Sequence, residues 1–199
     1  MKTATARREN VVSPFDFVGD HAAINFINTD RMICGEVTDR WQSDEDVAEW
    51  IVRHGLRDAR PATTWRRGLL LRKARNLREI ARKAVEARKA KKTLPLEELN
   101  GFLESSNSHS VLKAKSRTDL HLERVYSQKA VEQYLAPVAE SVAELLSHAD
   151  FDLVRRCEGE RCGLWFYDRS KAHCRRWCCS HICGNRAKVA AFRARARQS

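Results

Sequence analysis

The sequence predicts a mainly α-helical (α+β) fold: a helical N-terminal domain with one β-hairpin, followed by a small zinc finger. Two observations lead to this prediction. Apolar residues recur every three or four positions over most of residues 1–150, as in amphipathic helices. Six of the seven cysteines lie between positions 157 and 183. We therefore expect two domains, residues 1–150 and 151–199.

The N-terminal domain begins with a polar stretch, residues 1–12, that we expect to be mobile. The apolar residues of FVGDHAAINFINTD predict a first helix. Residues 30–42, with Gly35, are typical of a loop. The segment SDEDVAEWIVRHGL then predicts a second helix, because Ser43 and Asp46 have the spacing of a capping box.

The longest helical signal extends from Thr64 to about Lys92. Between Arg66 and Lys92 it carries twelve Lys and Arg against only Glu79 and Glu86. A charged helix face is usually only solvated, but this helix is also a second basic surface that could join a binding site.

Three more elements complete the N-terminal domain. Pro95 opens a short helix, and VLKAKSRTDLHLERVY predicts a hairpin with its turn near Arg117–Asp119. The next helical stretch contains Pro137, which should kink or interrupt it.

The C-terminal cysteines have the spacing of a zinc site. Cys157 and Cys162 form one pair with four residues between them, and Cys178 and Cys183 form a second pair with the same gap. Two short loops that each present two thiolates can complete a tetrahedron around one structural Zn²⁺. Gly159 should allow the first loop to turn tightly.

Other ligands and other chemistries are open at this point. Cys174, Cys179, His173 and His181 lie close enough in sequence to compete as zinc ligands. A disulfide cluster is disfavoured because the chain has no signal-like N-terminus and one cysteine in its first 156 residues. A catalytic zinc usually keeps one coordination position open, so this site is expected to be structural.

The residues around the cysteines predict a short hairpin plus a basic helix, an arrangement like a treble clef. Trp165, Phe166 and Tyr167 indicate a strand, and the segment from Cys183 to about Arg197 is rich in helix-forming residues. On this helix one stripe contains Arg186, Arg193 and Arg197. A second stripe, with Val189, Phe192 and Ala196, can pack, while the arginine stripe is expected to face water or an acidic partner.

Charge points to a polyanionic partner. The formal net charge is +11, and residues 155–199 hold twelve Lys and Arg against three Asp and Glu. Four thiolates around zinc carry a formal charge of about −2, which is too little to balance this surplus. We therefore expect DNA binding, with RNA not excluded, through these residues: Arg175, Arg176, Asn185, Arg186, Lys188, Arg193, Arg195 and Arg197.

The motifs WFYDRSK, RRWC and CGNRAKVAAFRARAR resemble the CGNR zinc finger, named for the residues that stand here as Cys183–Arg186. The resemblance implies that Cys157, Cys162, Cys178 and Cys183 bind the metal. INFINT and LAPVAESVAELL resemble the ABATE domain of bacterial stress-induced transcription regulators, with Asn28 and Thr29 at its Asn-Thr pair. This second resemblance implies a sensor or partner-binding role for residues 1–150.

Asn25 and Asn28 lie three residues apart on an otherwise apolar helix. Buried amides need hydrogen-bond partners, so the pair indicates either a small-ligand pocket for an effector or an internal hydrogen-bonded network. The network is the more common arrangement. A single finger buries little surface, so specific recognition should need a homodimer or the second basic helix.

Several function classes are disfavoured. No apolar run is long enough to span a bilayer, and we expect a cytoplasmic protein. No nucleophile with a spaced base, no phosphate loop and no open metal site is evident, so we do not expect an enzyme. The alternatives to DNA binding are an RNA-binding module, in which the aromatic residues near the finger stack on bases, and a protein-interaction module.

Overall fold

The structure is a computed structural model that describes residues 16–33, 36–61 and 65–197. The segment 1–12, expected to be mobile, and Gly35, expected in a loop, lie outside the described residues. So does Thr64, the predicted start of the longest helix.

Helices dominate the described part of the chain, as predicted. The helices are α1 (Ala22–Ile27), α2 (Asp44–Arg53), α3 (Leu69–Lys89), α4 (Glu97–Glu104), α5 (Val131–His148) and α6 (Asn185–Ala196). Three antiparallel hairpins join them: β1 (Asp30–Ile33) with β2 (Glu36–Asp39), β3 (Ser108–Ala114) with β4 (Leu120–Tyr126), and β5 (Val154–Arg156) with β6 (Trp165–Tyr167). Within these residues, no helix is both long and apolar enough to cross a membrane.

One hairpin was missed by the sequence prediction. Residues 30–42 were expected to form a loop, but β1 and β2 pair there, with Asp30 opposite Asp39 and Arg31 opposite Thr38. Strands of four residues with mixed charge carry too little apolar alternation to be recognised.

The capping box predicted at the start of α2 is present, because Asp46 N donates to Ser43 Oγ and Ser43 N donates to the Asp46 carboxylate.

The core lies among α1, α3 and α5. Five of the six residues of α1 are buried, Ala23 to Ile27, so this short helix is enclosed by its neighbours. Phe26, Trp41 and Trp50 pack with ring centroids 5.5–5.7 Å apart. Tertiary packing therefore stabilises α1, which is too short to persist alone in water.

Much of the positive charge of α3 is used inside the fold. Arg78, with 3% of its side chain exposed, donates to both carboxylate oxygens of Asp39 at 3.0 and 2.8 Å. Burial raises the pKa of Asp39, but its hydrogen bonds and the charges of Arg78 and Arg75 outweigh burial and leave that pKa below its usual range. Six of the twelve cations bond within the protein: Lys73, Arg75, Arg78, Arg82, Arg88 and Lys89.

Helix α5 continues through Pro137, where a kink or a break was predicted. Proline has no N–H to donate to the carbonyl four residues earlier, here that of Gln133. Arg57 donates to the Gln133 carbonyl instead, and its Nε donates to the Tyr134 carbonyl at 3.0 Å. The guanidinium thus replaces the missing helical hydrogen bond.

The C-terminal hairpin packs on the N-terminal helices. Val154 and Trp165 belong to the main hydrophobic core, although they lie beyond residue 150. In β6 the hydrogen bonds to β5 alternate, so the N–H and C=O groups of Trp165 and Tyr167 point away from β5. Asn28 bonds to both groups of Trp165, and the Gly19 carbonyl accepts from Tyr167 N at 2.9 Å.

Candidate metal centre

Four cysteine sulfurs converge at one point. The Sγ atoms of Cys157, Cys162, Cys178 and Cys183 all lie within 4.8 Å of one another. Cys178 Sγ lies 3.6 Å from Cys162 Sγ and 3.6 Å from Cys183 Sγ. A tetrahedron with Zn–S bonds of about 2.3 Å has sulfurs about 3.8 Å apart. The spacing and the four thiols therefore fit one structural Zn²⁺, as predicted.

The β5–β6 hairpin presents the first pair of cysteines. Cys157 follows β5, and its N–H donates to the Leu164 carbonyl at 2.9 Å, which extends the ladder beyond Arg156. Cys162 N donates to the Gly159 carbonyl at 2.9 Å and closes the loop. The loop is thus held by its own backbone, and both sulfurs are directed to the same side.

Gly159 is required in this loop for a different reason from the one the sequence indicated. Its φ is not positive, so conformational freedom is not what the loop needs. A Cβ at this position would lie 3.2 Å from Cys162 Cβ and 3.4 Å from both Cys157 Sγ and Cys183 Cβ. An alanine here would have to displace the Cys162 side chain by a few tenths of an ångström at the point where the sulfurs meet.

The second pair of cysteines comes from the start of the C-terminal helical region. Cys183 lies in a π-helical turn, Ser180–Gly184, that leads directly into α6. Gly184 N donates to the Cys179 carbonyl at 3.1 Å. The orientation of α6 is consequently fixed by a residue that binds the metal.

The thiols are arranged so that a cation is needed to ionise all of them. Cys157 Sγ accepts from Cys178 N at 3.3 Å and from Gly159 N at 3.4 Å. Hydrogen bonds from the Cys162 and Cys178 thiols hold the pKa of Cys157 well below its usual range. The pKa of Cys178 is raised, because its thiol bonds to Cys157 and Cys162. Without a metal, one negative charge therefore keeps its neighbours protonated.

The competing ligands lie outside this cluster. Cys174 is exposed and Cys179 is half-buried. His173 is exposed, and its Nδ1 lies 3.2 Å from the Asp168 carbonyl. Among the described residues, the group of sulfurs that could hold an ion contains only Cys157, Cys162, Cys178 and Cys183.

Asp168, which is fully buried, has a structural role that was not predicted from the sequence. Its carboxylate accepts from Ser170 Oγ at 2.6 Å and from Arg175 N at 2.9 Å, and it lies 3.5 Å from Arg155 Nη1. It organises the segment between the two cysteine pairs. An acidic residue between strand-like aromatics and a basic run was the available signal.

Arg175, a predicted phosphate contact, is engaged within the protein. We expected a phosphate contact, but its Nη2 donates to the Val18 carbonyl at 2.9 Å and also to the Cys178 carbonyl, and Nη1 pairs with Asp20. The guanidinium carbon lies 4.5 Å from the centre of the Phe166 ring. Its Nε donates to the Trp177 carbonyl at 2.9 Å, so each of its three nitrogens has an acceptor in the fold, and the side chain joins the N-terminal segment to the metal site.

The other predicted nucleic-acid contacts are divided between two places. Arg176 pairs with Glu158 at 2.6 Å beside the metal site. The remaining predicted residues lie on α6, whose twelve residues are all at least partly exposed. Lys188, Arg193 and Arg197 form no ion pair with any described residue, whereas Arg186 and Arg195 have contacts within the protein.

The predicted packing stripe of α6 is wrong. Val189 is 42% exposed and Phe192 67% exposed. The helix instead turns Arg186, Ala187 and Ala190 toward the first cysteine loop, where they line a groove with Cys162. A short helix of alternating Ala and Arg has no pronounced apolar face, so its sequence could not determine which side packs.

Asn25 and Asn28 form internal hydrogen bonds. Asn25 Oδ1 accepts from Gly19 N at 2.8 Å. Asn28 Oδ1 accepts from Trp165 N at 2.9 Å, and its Nδ2 donates to the Trp165 carbonyl at 2.8 Å. These contacts favour the internal network over the ligand pocket.

Comparison with known families agrees with this architecture. No curated protein matches the sequence. The CGNR zinc finger family matches residues 154–196, which contain all four converging cysteines. The ABATE family, described as "Putative stress-induced transcription regulator", matches residues 20–149, about two thirds of the chain. The protein therefore belongs to the ABATE family and carries a C-terminal CGNR zinc finger.

Proposed function

We propose that the protein is a non-enzymatic, zinc-dependent transcription regulator whose helix α6 binds DNA. The observation that carries this proposal is the exposure of α6, which has four cations, a fifth at its C-cap, Arg197, and no buried residue. An isolated helix of this length is only marginally stable in water. The zinc-bound turn supports its first residues, and a polyanion along its length would supply the missing partner.

Two of the aromatic residues near the finger give no support to the RNA alternative. Recognition of single-stranded RNA uses exposed rings that stack on bases. Trp165 is 6% exposed and Phe166 is fully buried, so both belong to the packing of the hairpin. These two strand aromatics are therefore not available to stack on bases, whereas Phe192 of α6 remains exposed.

The N-terminal domain is proposed to regulate binding. A cleft of about 1200 Å³ lies between β4, α5 and the segment Asp20–Ala22, and Arg169 of the finger also lines it. Asp20 pairs with Arg175, which donates to the carbonyl of the metal-binding Cys178. An effector in this cleft would thus contact the segment that holds the finger in place. A homodimer would supply the second helix needed for specific recognition.

DNA binding is tested with the zinc-loaded full-length chain. Selection of bound genomic fragments should enrich a short motif, and affinity should fall with salt concentration. Replacement of Lys188, Arg193 and Arg197 by alanine should reduce the slope of log K against log salt by about 2 to 3.

The matched control replaces one lysine and two arginines on or near α3, namely Lys92, Arg66 and Arg72, which are also exposed. It should leave the slope unchanged. An unchanged slope in the α6 variant, or an equal reduction in both variants, would show that α6 is not the DNA-binding element. Tighter binding to single-stranded RNA than to duplex DNA at the same salt concentration would favour the RNA alternative.

A further inference from the structure

Helix α6 has one face directed toward the metal site and one directed away from it. Arg186, Ala187 and Ala190 line a groove of about 480 Å³ beside the first cysteine loop. A helix advances about 100° per residue, so Asn185, Phe192 and the cations Lys188 and Arg195 lie on the opposite side. We call these four residues, together with Val189, the outer face.

The outer face combines side chains that a solvated helix does not need. Phe192 is 67% exposed and Val189 is 42% exposed, and because they lie three residues apart on the helix they form one small apolar patch. The Asn185 side chain is exposed and forms no hydrogen bond with the part of the chain that the structure describes. It therefore neither caps the helix nor braces the cysteine loop.

Charge complementarity identifies the class of partner. Lys188 and Arg195 flank Phe192 on the helix surface, and the whole helix contains no acidic residue. In a DNA groove, the edges of the base pairs lie between two rows of phosphates. An apolar side chain flanked by cations is therefore complementary to this surface. In the major groove, an aromatic side chain can contact the C5-methyl group of thymine, and asparagine can bond in bidentate fashion to adenine.

The spacing along the helix agrees with the spacing of base pairs. Asn185 and Phe192 are seven residues apart, which is about 10.5 Å along the helix axis. Three base-pair steps cover about 10 Å. The two side chains can consequently reach bases about three pairs apart.

Resting on the DNA binding proposed above, we propose that the outer face reads the major groove of sites rich in A·T pairs. Phe192 contacts a thymine methyl group, and Asn185 bonds to an adenine about three pairs away. In the first turns of the helix the Arg186 side faces the cysteine loop. Arg193 and Arg197 lie on that same side farther along, where they are exposed, so their proposed contacts are to phosphates at the rim of the groove. This assignment reverses the orientation expected from the sequence, in which the Phe192 stripe packs against the protein.

The test compares three duplexes of equal length with the zinc-loaded full-length chain: alternating dA-dT, alternating dA-dU and alternating dG-dC. Deoxyuridine lacks the C5-methyl group but keeps the A·T pairing. Loss of one buried methyl contact should weaken binding about fourfold on dA-dU relative to dA-dT. The dG-dC duplex should bind more weakly than either.

Phe192→Ala should abolish the difference between dA-dT and dA-dU, whereas Phe192→Leu should retain part of it. Because Phe192 is exposed, zinc content and the far-ultraviolet spectrum should not change in either variant. Equal affinity of the wild-type protein for dA-dT and dA-dU would overturn the inference and leave DNA binding intact. Discrimination that persists in Phe192→Ala would also overturn it. Absence of salt-dependent binding to all three duplexes would refute the proposed function itself.

Discussion

Asn28, directly after α1, links the N-terminal domain to strand β6 of the C-terminal hairpin, and its replacement should weaken the contact between them. It is 2% exposed and bonds to both backbone groups of Trp165 that β5 cannot reach. In Asn28→Ala these two groups would remain buried without that partner. Each unsatisfied group costs about 1–3 kcal/mol, so the free energy of unfolding should fall by about 2–6 kcal/mol. That is a large part of the stability of a typical domain.

The measurement is urea unfolding of the zinc-loaded protein, combined with hydrogen exchange of the Trp165 amide. Asn76→Ala is the matched control, because Asn76 is exposed on α3 and its replacement should change stability by less than about 0.5 kcal/mol. Zinc content should remain at one per chain in both variants, since Asn28 does not contact the cysteines. If Asn28→Ala behaved like Asn76→Ala and the Trp165 amide stayed protected from exchange, Asn28 would not be the residue that holds β6 against the N-terminal domain.

Three further predictions concern the metal site and one helix cap. Gly159→Ala should weaken zinc binding in competition with a chromophoric chelator, because its Cβ would crowd Cys162. Gly101→Ala, where a Cβ meets nothing within 4 Å, should leave zinc affinity unchanged. Cys183→Ser should remove zinc and make α6 sensitive to protease, whereas Cys174→Ser should keep both zinc and resistance; retained zinc in Cys183→Ser would contradict the site. His21 Nδ1 accepts from Ala23 N at 3.2 Å at the start of α1, and burial lowers the pKa of His21 below 6.5. The unfolded chain then binds the proton more tightly, so this cap should stabilise the protein above about pH 6.5 and weaken as pH falls. His21→Asn, which caps without titrating, should reduce the loss of stability between pH 7 and pH 5, and an identical loss would exclude His21 as its source.

The metal site was predictable because its ligands form pairs that lie close together in the sequence. Cys157 and Cys162, like Cys178 and Cys183, are separated by four residues, and each pair is held by one short turn. Zinc chemistry then restricts the ligands to four sulfurs about 3.8 Å apart. Amphipathic spacing similarly predicts α2, α3 and α5, since their buried faces repeat every three or four residues.

The roles of the charged and polar side chains could not be predicted in the same way. Arg175 has the composition of a phosphate contact and is instead enclosed by Asp20 and the carbonyls of Val18 and Cys178. Half of the cations counted on the basic helix are bonded within the fold. The partner of a charged side chain cannot be identified from the sequence, because ion pairs and carbonyl contacts form between residues far apart in the chain.

By itself, the sequence determined the mainly helical fold class, the zinc ligands and the surplus of positive charge near the C-terminus. Tertiary structure decided that Asn28 joins the two parts, that Arg57 replaces the hydrogen bond lost at Pro137, and that α6 turns Phe192 outward. The physical reason is the range of the interactions. Turn geometry and helical periodicity act over a few residues, whereas burial and the satisfaction of backbone groups depend on contacts across the whole chain.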